Sequence, residues 1–482
     1  MSVQILVQGK LSGVAQFLPA SPRQEITTGA AESLLAGRSH WISLLTEIIP
    51  RALLAELGLS KMLLGSSGAG QFLVILPSDA RSQAEQFLAA ARAGIRERSN
   101  GAVDLLWAIT ENLGDWTVVR KRLNEELRSK ENVPLAALGS SFFESAGSEP
   151  QANYDDYFID ELGTKLREAR SVGWSPEDPA AVHAGAGKYE WPLREGADAV
   201  PLARQAALTD DGGSVATAAQ LGRRARGRAI WGVLRGDADD FGIRLRRATS
   251  IEEHVQLSIL YKHFFAGELE LLCTMPEFWS KVTLFYSGGD DFAVYGAWDA
   301  LILLAREVQR VFERFAQENL REFPGPEGKT ISMALALAPE EDSGLASVFE
   351  AAGERLEIAK ATDKDCFHLL GRTLEWKQLS DAAELKDSLT RMVTEFGVPA
   401  SYLQDLCAIY REGKRNSGTR RPERPWRFHR RLNRVLASGR ARDFQKARTS
   451  LIADLVGRNA AQFKLRPSGR VALEWARLSI GN

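Results

Sequence analysis

The sequence has little cysteine, little histidine and no long apolar run, and each shortage narrows the field. Its 482 residues include three cysteines, Cys273, Cys366 and Cys407. They lie far apart and form no Cys-x-x-Cys pair, so neither a disulfide framework nor a zinc site is expected. The six histidines, His40, His183, His254, His263, His368 and His429, include no His-Asp dipeptide. Each reads as a packed or surface residue, with His429 set apart by its basic and aromatic neighbours. No apolar stretch approaches the ~18–20 residues of a membrane span. Met1 to Leu18 lacks the charged start and long apolar core of a leader. A cytoplasmic location with no membrane partner is the resulting expectation. A net charge of −1, 44% hydrophobic and 26% charged residues are the values of ordinary globular domains. The length suits roughly three to four of them.

Against this plain background stands Phe285-Tyr286-Ser287-Gly288-Gly289-Asp290-Asp291-Phe292. Val282 to Tyr286 and Phe292 to Tyr295 have the apolar and aromatic character of strands. Gly288 and Gly289 supply the positive-φ positions of a hairpin turn. Adjacent carboxylates on a hairpin tip repel each other, and Mg²⁺ or Mn²⁺ with oxygen ligands is the natural remedy. A second acidic strand end precedes it. Ala229 to Leu234 is an apolar run ending in Arg235-Gly236-Asp237-Ala238-Asp239-Asp240-Phe241-Gly242. Asp237 and Asp239 alternate, so they share a side if the strand reaches that far.

Between and after these motifs come a helical stretch at 251–272, a helix at 299–323, a strand at 330–337 and a helix at 345–360. The order is βαββαβ, the ferredoxin-like layout, in which the first strand lies beside the hairpin. Asp237 then converges with Asp290 and Asp291. Carboxylates from two strands that hold two metals suit in-line phosphoryl transfer. The backbone N–H groups of Ala238, Asp239, Asp240, Phe241 and Gly242, opening a helix, are expected to cradle a triphosphate.

The pair GDADDFG and YSGGDDF resembles the second palm domain of the large subunit of type III CRISPR effector complexes. That palm is similar to the nucleotide cyclases with a GGDEF signature. Ala359-Lys360 resembles the family's phosphate-contacting pair, and a final strand is expected at 367–376. The resemblance implies that ATP is joined into cyclic oligoadenylate when target RNA binds. It implies Asp237, Asp290 and Asp291 as catalytic metal ligands and Lys360 on the outer phosphates. Ser287, Gly288, Gly289 and, from elsewhere, Ser67 would line the nucleotide. Asp240 departs from the family's usual Asn. Many relatives begin with an HD nuclease and carry a zinc site between palms, and neither is expected here.

The N-terminal segment reads as a damaged copy of the same unit. Aligning Leu6 to Gly13 with Leu234 to Asp239 puts Gly9 over Gly236 and Lys10 over Asp237. Aligning Gly65 to Phe72 with the hairpin puts Ser67-Gly68 over Ser287-Gly288, and Gly70-Gln71 over the paired acids. All three candidate ligands are gone, so this copy is expected to hold no metal but to form half of a cleft. Leu35-Ala36-Gly37-Arg38-Ser39 resembles the family's first-palm helix.

Residues 131–222 read as a loop-rich connector with one helix at 157–172, and the stretch from 377 reads as helical. From Arg411 to Arg448 there are 14 Lys and Arg against 3 acidic residues, interleaved with Trp426, Phe428 and His429. Such a segment suits RNA phosphates or an acidic partner. Arg420, Arg421, Arg427, Arg430, Arg431 and Arg434 are its contact candidates. The resemblance supplies the partners: CRISPR RNA, target RNA, and the backbone and small subunits of the complex. The fold class is α+β. Its expected parts are a degenerate palm at 1–130, a connector at 131–222, a GGDD palm at 223–376 and a helical domain at 377–482. The functional expectation is an ATP-using nucleotidyltransferase. The rivals are a silent scaffold subunit and a free-standing nucleotide cyclase.

Overall fold

A computed structural model describes residues 4–23, 25–131, 152–193, 196, 198–416, 425–436, 442–456 and 467–481. In the first palm, β1 (Gln4–Ser12), β2 (Leu64–Gly68), β3 (Gln71–Pro77) and β4 (Asp104–Glu111) form an antiparallel sheet in the order β2-β3-β1-β4. This is the ferredoxin-like order. Side chains alternate across the strand, and the cores follow that period. Ile5 and Val7 enter a core with the helices Thr28–Glu56 and Arg81–Arg98. Leu6 enters a separate core against the helix Trp116–Glu131, which contributes Trp116, Val119, Leu123 and Leu127.

The connector carries its own small sheet, β5 (Ser171–Trp174), β6 (His183–Ala184) and β7 (Tyr189–Pro192), in the order β6-β5-β7. The helix expected to reach residue 172 is shorter. It consists of a π-helical turn at Tyr157–Lys165 and a short α-helical piece ending at Glu168. Ala169 is then extended and leads into β5. The π turn lies against the helix Thr28–Glu56, and a Cβ on Gly37 would stand 1.8 Å from the Phe158 carbonyl oxygen. Only glycine permits that approach.

The second palm is built on β8 (Trp231–Ala238), β9 (Val282–Gly288), β10 (Asp291–Ala297) and β11 (Ile331–Leu337). The expected single final strand is instead a hairpin, β12 (Cys366–Leu369) and β13 (Arg372–Glu375). Leu370 and Gly371, with φ of 50° and 75°, turn the chain between them. The sheet order is β13-β12-β11-β8-β10-β9, with β8 central. Leu234, Phe292 and Val294 pack toward the helix Trp298–Asn319. Val233, Phe285, Ala293 and Tyr295 enter the same core as Ile5 and Val7 of the first palm. Burial on both faces explains why β8 opens on an unbroken apolar run, Trp231 to Leu234.

Beyond β13, the described residues form the helices Trp376–Thr394, Ser401–Asn416, Pro425–Val435, Arg442–Val456 and Pro467–Ile480. Leu432 of the third, and Leu436 just beyond its end, are buried in the second palm's core. No helix is long and apolar enough to cross a membrane among the described residues.

Candidate nucleotide and metal site

The strand β8 delivers the first carboxylate. Asp237 stands in register with Asp291 of β10 on one side and with Ser332 of β11 on the other. The turn Gly289-Asp290 between β9 and β10 brings in the third. Burial and neighbouring acidic charge raise all three carboxyls. Asp290 is held well above the usual carboxylate range by burial and by the charges of Asp291 and Asp237. Burial, with the Asp237 charge added, pushes Asp291 up to about 7 against the hydrogen bond it receives. Asp237 is raised by burial, which the Lys360 ammonium partly offsets. Two of the three carboxylates have taken a nearby side-chain donor. Lys360 is ion-paired with Asp237, and the Tyr286 hydroxyl donates to Asp291 Oδ1 at 2.5 Å.

Those donors bear on the metal expectation. Among the described residues no group of three or more His, Cys, Asp or Glu side chains is arranged as a metal site. The donor chemistry nevertheless fits a hard divalent cation. Three carboxylates crowd together, and their mutual repulsion is what such an ion would relieve.

Several expected roles fall to other atoms. Ala238 N–H donates to the Asp290 carbonyl at 2.8 Å and Asp239 N–H to the Thr330 carbonyl at 2.9 Å. Of the five amides expected to cradle an anion, these two are already bonded, which leaves those of Asp240, Phe241 and Gly242 as candidates. The strand ends at Ala238, and Asp239 is a buried hub beyond it. Asp239 accepts from Ser332 Oγ at 2.7 Å, Thr330 Oγ1 at 2.8 Å and Asp365 N–H at 2.9 Å. Asp240 opens the next helix at φ 59° and pairs with Lys364 at 2.6 Å. Ser287 is buried, and its hydroxyl donates to the Phe265 carbonyl, in a π-helical turn at Phe264–Glu268, rather than lining a cleft. Of the two turn glycines, only Gly289 has positive φ, at 66°. Lys360 sits among the carboxylates.

The repeat is confirmed in register. Gly9 faces Phe72 and Lys10 faces Gln71, as Gly236 faces Phe292 and Asp237 faces Asp291. In both copies the ring lies over the glycine. An added Cβ would come within 2.1 Å of Phe72 at Gly9 and 2.3 Å of Phe292 at Gly236. The correspondence extends to a pair that the motif comparison missed. Lys10 is ion-paired with Glu131, at the end of the helix matching the one that bears Lys360. The polarity is reversed relative to Asp237 and Lys360. Carrying the alignment one helix further would have exposed it.

The two hairpin tips meet. A Cβ on Gly289 would lie 2.2 Å from the Ala69 Cβ. Beside them opens a cleft of about 690 Å³ walled by both palms, among them Ser67, Gly68, Phe241, Gly242, Gly289 and Asp290. Arg120 crosses it from the first palm and donates to the carbonyls of Leu245, at 2.9 Å, and Ala248, at 3.0 Å. It thereby caps the helix Phe241–Arg247. The basic C-terminal candidates lie elsewhere. Arg430, Arg431 and Arg434 are exposed on the helix Pro425–Val435. Arg420 and Arg421 fall outside the described residues, as does the Arg427 side chain.

Comparison with known proteins agrees with this geometry. Residues 230–368 match the family model for the second palm domain of Cas10/Cmr2, and residues 3–113 match that for domain B of the Csm1 subunit. A relative from Mycobacterium tuberculosis is the CRISPR system single-strand-specific deoxyribonuclease Cas10/Csm1 of subtype III-A. It is 24% identical over 422 residues, which cover 70% of this chain and 50% of the relative. The protein of the same name from Thermococcus onnurineus is 26% identical over 178 residues, covering 34% of this chain and 22% of that one. The chain thus spans half the length, or less, of these curated relatives. Among solved structures, an apo Csm1–Csm4 cassette superposes with a TM-score of 0.74 at 18% identity, covering 99% of this chain and 70% of that one. The cassette in complex with cA4 gives 0.73 at 18% identity over the same shares.

Proposed function

Since the chain belongs to the Cas10/Csm1 family of large subunits of type III CRISPR effector complexes, we propose that it joins ATP molecules into cyclic oligoadenylate in response to target RNA. The observation that carries this reading is the register of Asp237 with Asp291 beside Asp290, which lines a cleft walled by both palms. The cassettes of the same fold were solved with cA3, with cA4 and with one ATP, which supports adenine nucleotides as ligands. In the reaction the 3′-oxygen of one ATP bonds to the α-phosphorus of another. The bond from that phosphorus to the bridging oxygen breaks, pyrophosphate leaves, and the hydroxyl proton passes to solvent.

Asp237, Asp290 and Asp291 would hold the divalent cations. Bound there, Mg²⁺ or Mn²⁺ supplies charge neutralisation for the phosphates. The amides of Asp240, Phe241 and Gly242 face the triphosphate, and the first palm's Ser67-Gly68 turn closes the opposite wall. Lys360, paired with Asp237 here, is the residue that would contact the outer phosphates. Guide and target RNA, and a Csm4-type neighbour, are the proposed partners, with Arg430, Arg431 and Arg434 among the contacts. The named relatives are deoxyribonucleases. The absence of a His-Asp dipeptide from residues 1–482 argues against HD-type DNA cleavage by this chain.

The test is pyrophosphate release from ATP by the assembled complex, with and without target RNA, for the wild type and for Asp237→Asn, Asp290→Asn and Asp291→Asn. RNA-dependent release that each substitution abolishes is expected. A silent scaffold, in which Lys360 and Tyr286 hold the carboxylates permanently, would release none.

A further inference from the structure

Two clefts meet at one wall. The cleft of about 690 Å³ beside the carboxylate turn and a second of about 810 Å³ share Ser66, Ser67, Ser258 and Lys262. Lys262 belongs to the helix Ile251–His263 of the second palm, whereas Ser67 belongs to β2 and Glu47 to the helix Thr28–Glu56 of the first. Lys262 Nζ donates to Ser67 Oγ at 2.7 Å and pairs with Glu47 Oε1 at 2.7 Å. Ser67 Oγ in turn donates to Glu47 Oε2 at 2.9 Å. The three side chains close a ring across the boundary between palms. Arg51 supports it by pairing with Glu47 Oε2 at 2.5 Å.

The ring is dry. The Glu47 side chain is 6% exposed and that of Lys262 17%. Burial alone would raise the Glu47 carboxyl, but the charges of Lys262 and Arg51 outweigh it and hold it at about 2. Glu47 is therefore ionised throughout the working range. A buried charge of this kind persists only while its partners stay in place. The chain runs directly from Ser67 through Gly68 to Ala69, the residue that abuts Gly289, and Asp290 follows Gly289. Where Lys262 holds Ser67 thus fixes how the first palm's tip meets the carboxylate turn.

We infer that Lys262, closed in a ring with Glu47 and Ser67, is a positioning latch that holds the first palm's hairpin against the carboxylate turn of the second. Its effect on synthesis rests on the nucleotidyl-transfer reading, whereas its effect on palm geometry does not. Lysine is suited to the task because its compact ammonium serves two acceptors on different elements at once.

The test uses the assembled complex with Lys262→Gln/Glu47→Gln, a neutral pair that removes both charges of the ring and leaves Arg51, which lines the second cleft, its bond to the residue 47 carbonyl, and Lys262→Arg as the conservative variant. Spin labels at the exposed positions Gln86 and Arg314, on the helices Arg81–Arg98 and Trp298–Asn319, report the distance between palms. In EDTA the wild type should give one narrow distance, and the neutral pair a broadened or displaced one. For pyrophosphate release, the neutral pair should lower kcat by about tenfold or more, because small misplacements of reacting groups are costly. KM for ATP should stay within about threefold, as ground-state binding is not what the latch provides. Lys262→Arg should keep the narrow distance and most of the rate. An unchanged distance in the neutral pair overturns the latch, as does a kcat loss that only follows a loss of folded protein. If the wild type releases no pyrophosphate, the nucleotidyl-transfer reading fails and the distance measurement alone decides the latch.

Discussion

Replacing Asp291 with Asn should make the metal-free protein more stable at pH 8 and leave it nearly unchanged near pH 4. The Asp291 carboxyl rises from an ordinary value of 3.8 to about 7 in the folded protein, chiefly through burial, with the neighbouring charge of Asp237 adding to it. A raised folded value means that the native state binds the proton more tightly than the unfolded chain. Its contribution to stability is whole below pH 3.8, and it is lost as pH rises through about 7. A shift of about three pH units corresponds to about 4 kcal/mol, and partial exposure of the carboxyl with shared titration reduces this to about 2 kcal/mol. Asn keeps an oxygen for the Tyr286 hydroxyl and removes the charge. For a unit of 150–250 residues, about 2 kcal/mol is roughly 4–8 °C in Tm. Thermal unfolding in EDTA at pH 4, 6 and 8 should show the gap between variant and wild type opening with pH. Mg²⁺ should then close it by stabilising the wild type alone. A gap that is flat with pH, or an Asn variant less stable than the wild type at pH 8, refutes the crowded-carboxylate account.

Three further perturbations probe other parts of the site. Gly289→Ala places a methyl 2.2 Å from Ala69 at φ 66°, so it should push the hairpin tips apart, cost ~1–3 kcal/mol and abolish synthesis, as unfolding and product assays will show. Restoring the acids of the first palm, Lys10→Asp with Gln71→Asp, should break the pair with Glu131 and leave three acidic groups uncompensated. The expected result is a less stable protein with no second active site, and doubled product would contradict it. Arg430→Glu with Arg434→Glu should weaken RNA or subunit binding and flatten its salt dependence, since each lost phosphate contact removes about one unit of slope. Identical salt titrations for variant and wild type would mark these residues as a solvated helix face.

Much of the second palm was legible because its signals are local. The apolar run of β8 and the glycine-rich turn follow from strand and turn chemistry, and the register of Asp237 with Asp291 follows from the βαββαβ order. The damaged copy was legible because Gly9 and Gly236 face the same aromatic ring in both palms. What remained hidden depends on partners distant in sequence. The amides of Ala238 and Asp239 are taken by Asp290 and Thr330, and the Ser287 hydroxyl by Phe265. None of these contacts has a periodicity or a motif. Gly288 looked like a positive-φ residue because the dipeptide Gly-Gly permits either residue to turn, and the fold uses only Gly289. The ring of Glu47, Ser67 and Lys262 joins residues up to 215 positions apart, from 47 to 262, on three ordinary-looking elements.

Mass spectrometry of the products tests the central claim most directly. The assembled complex, carrying its guide RNA, is given labelled ATP and Mn²⁺ in the presence and absence of matching target RNA. Ring-closed oligoadenylate should form only with target RNA and should vanish with Asp290→Ala/Asp291→Ala, in a protein that stays folded. Oligoadenylate that persists in the double variant, or its absence from the wild type with target RNA bound, would contradict the assignment of the carboxylate turn as the site of nucleotidyl transfer.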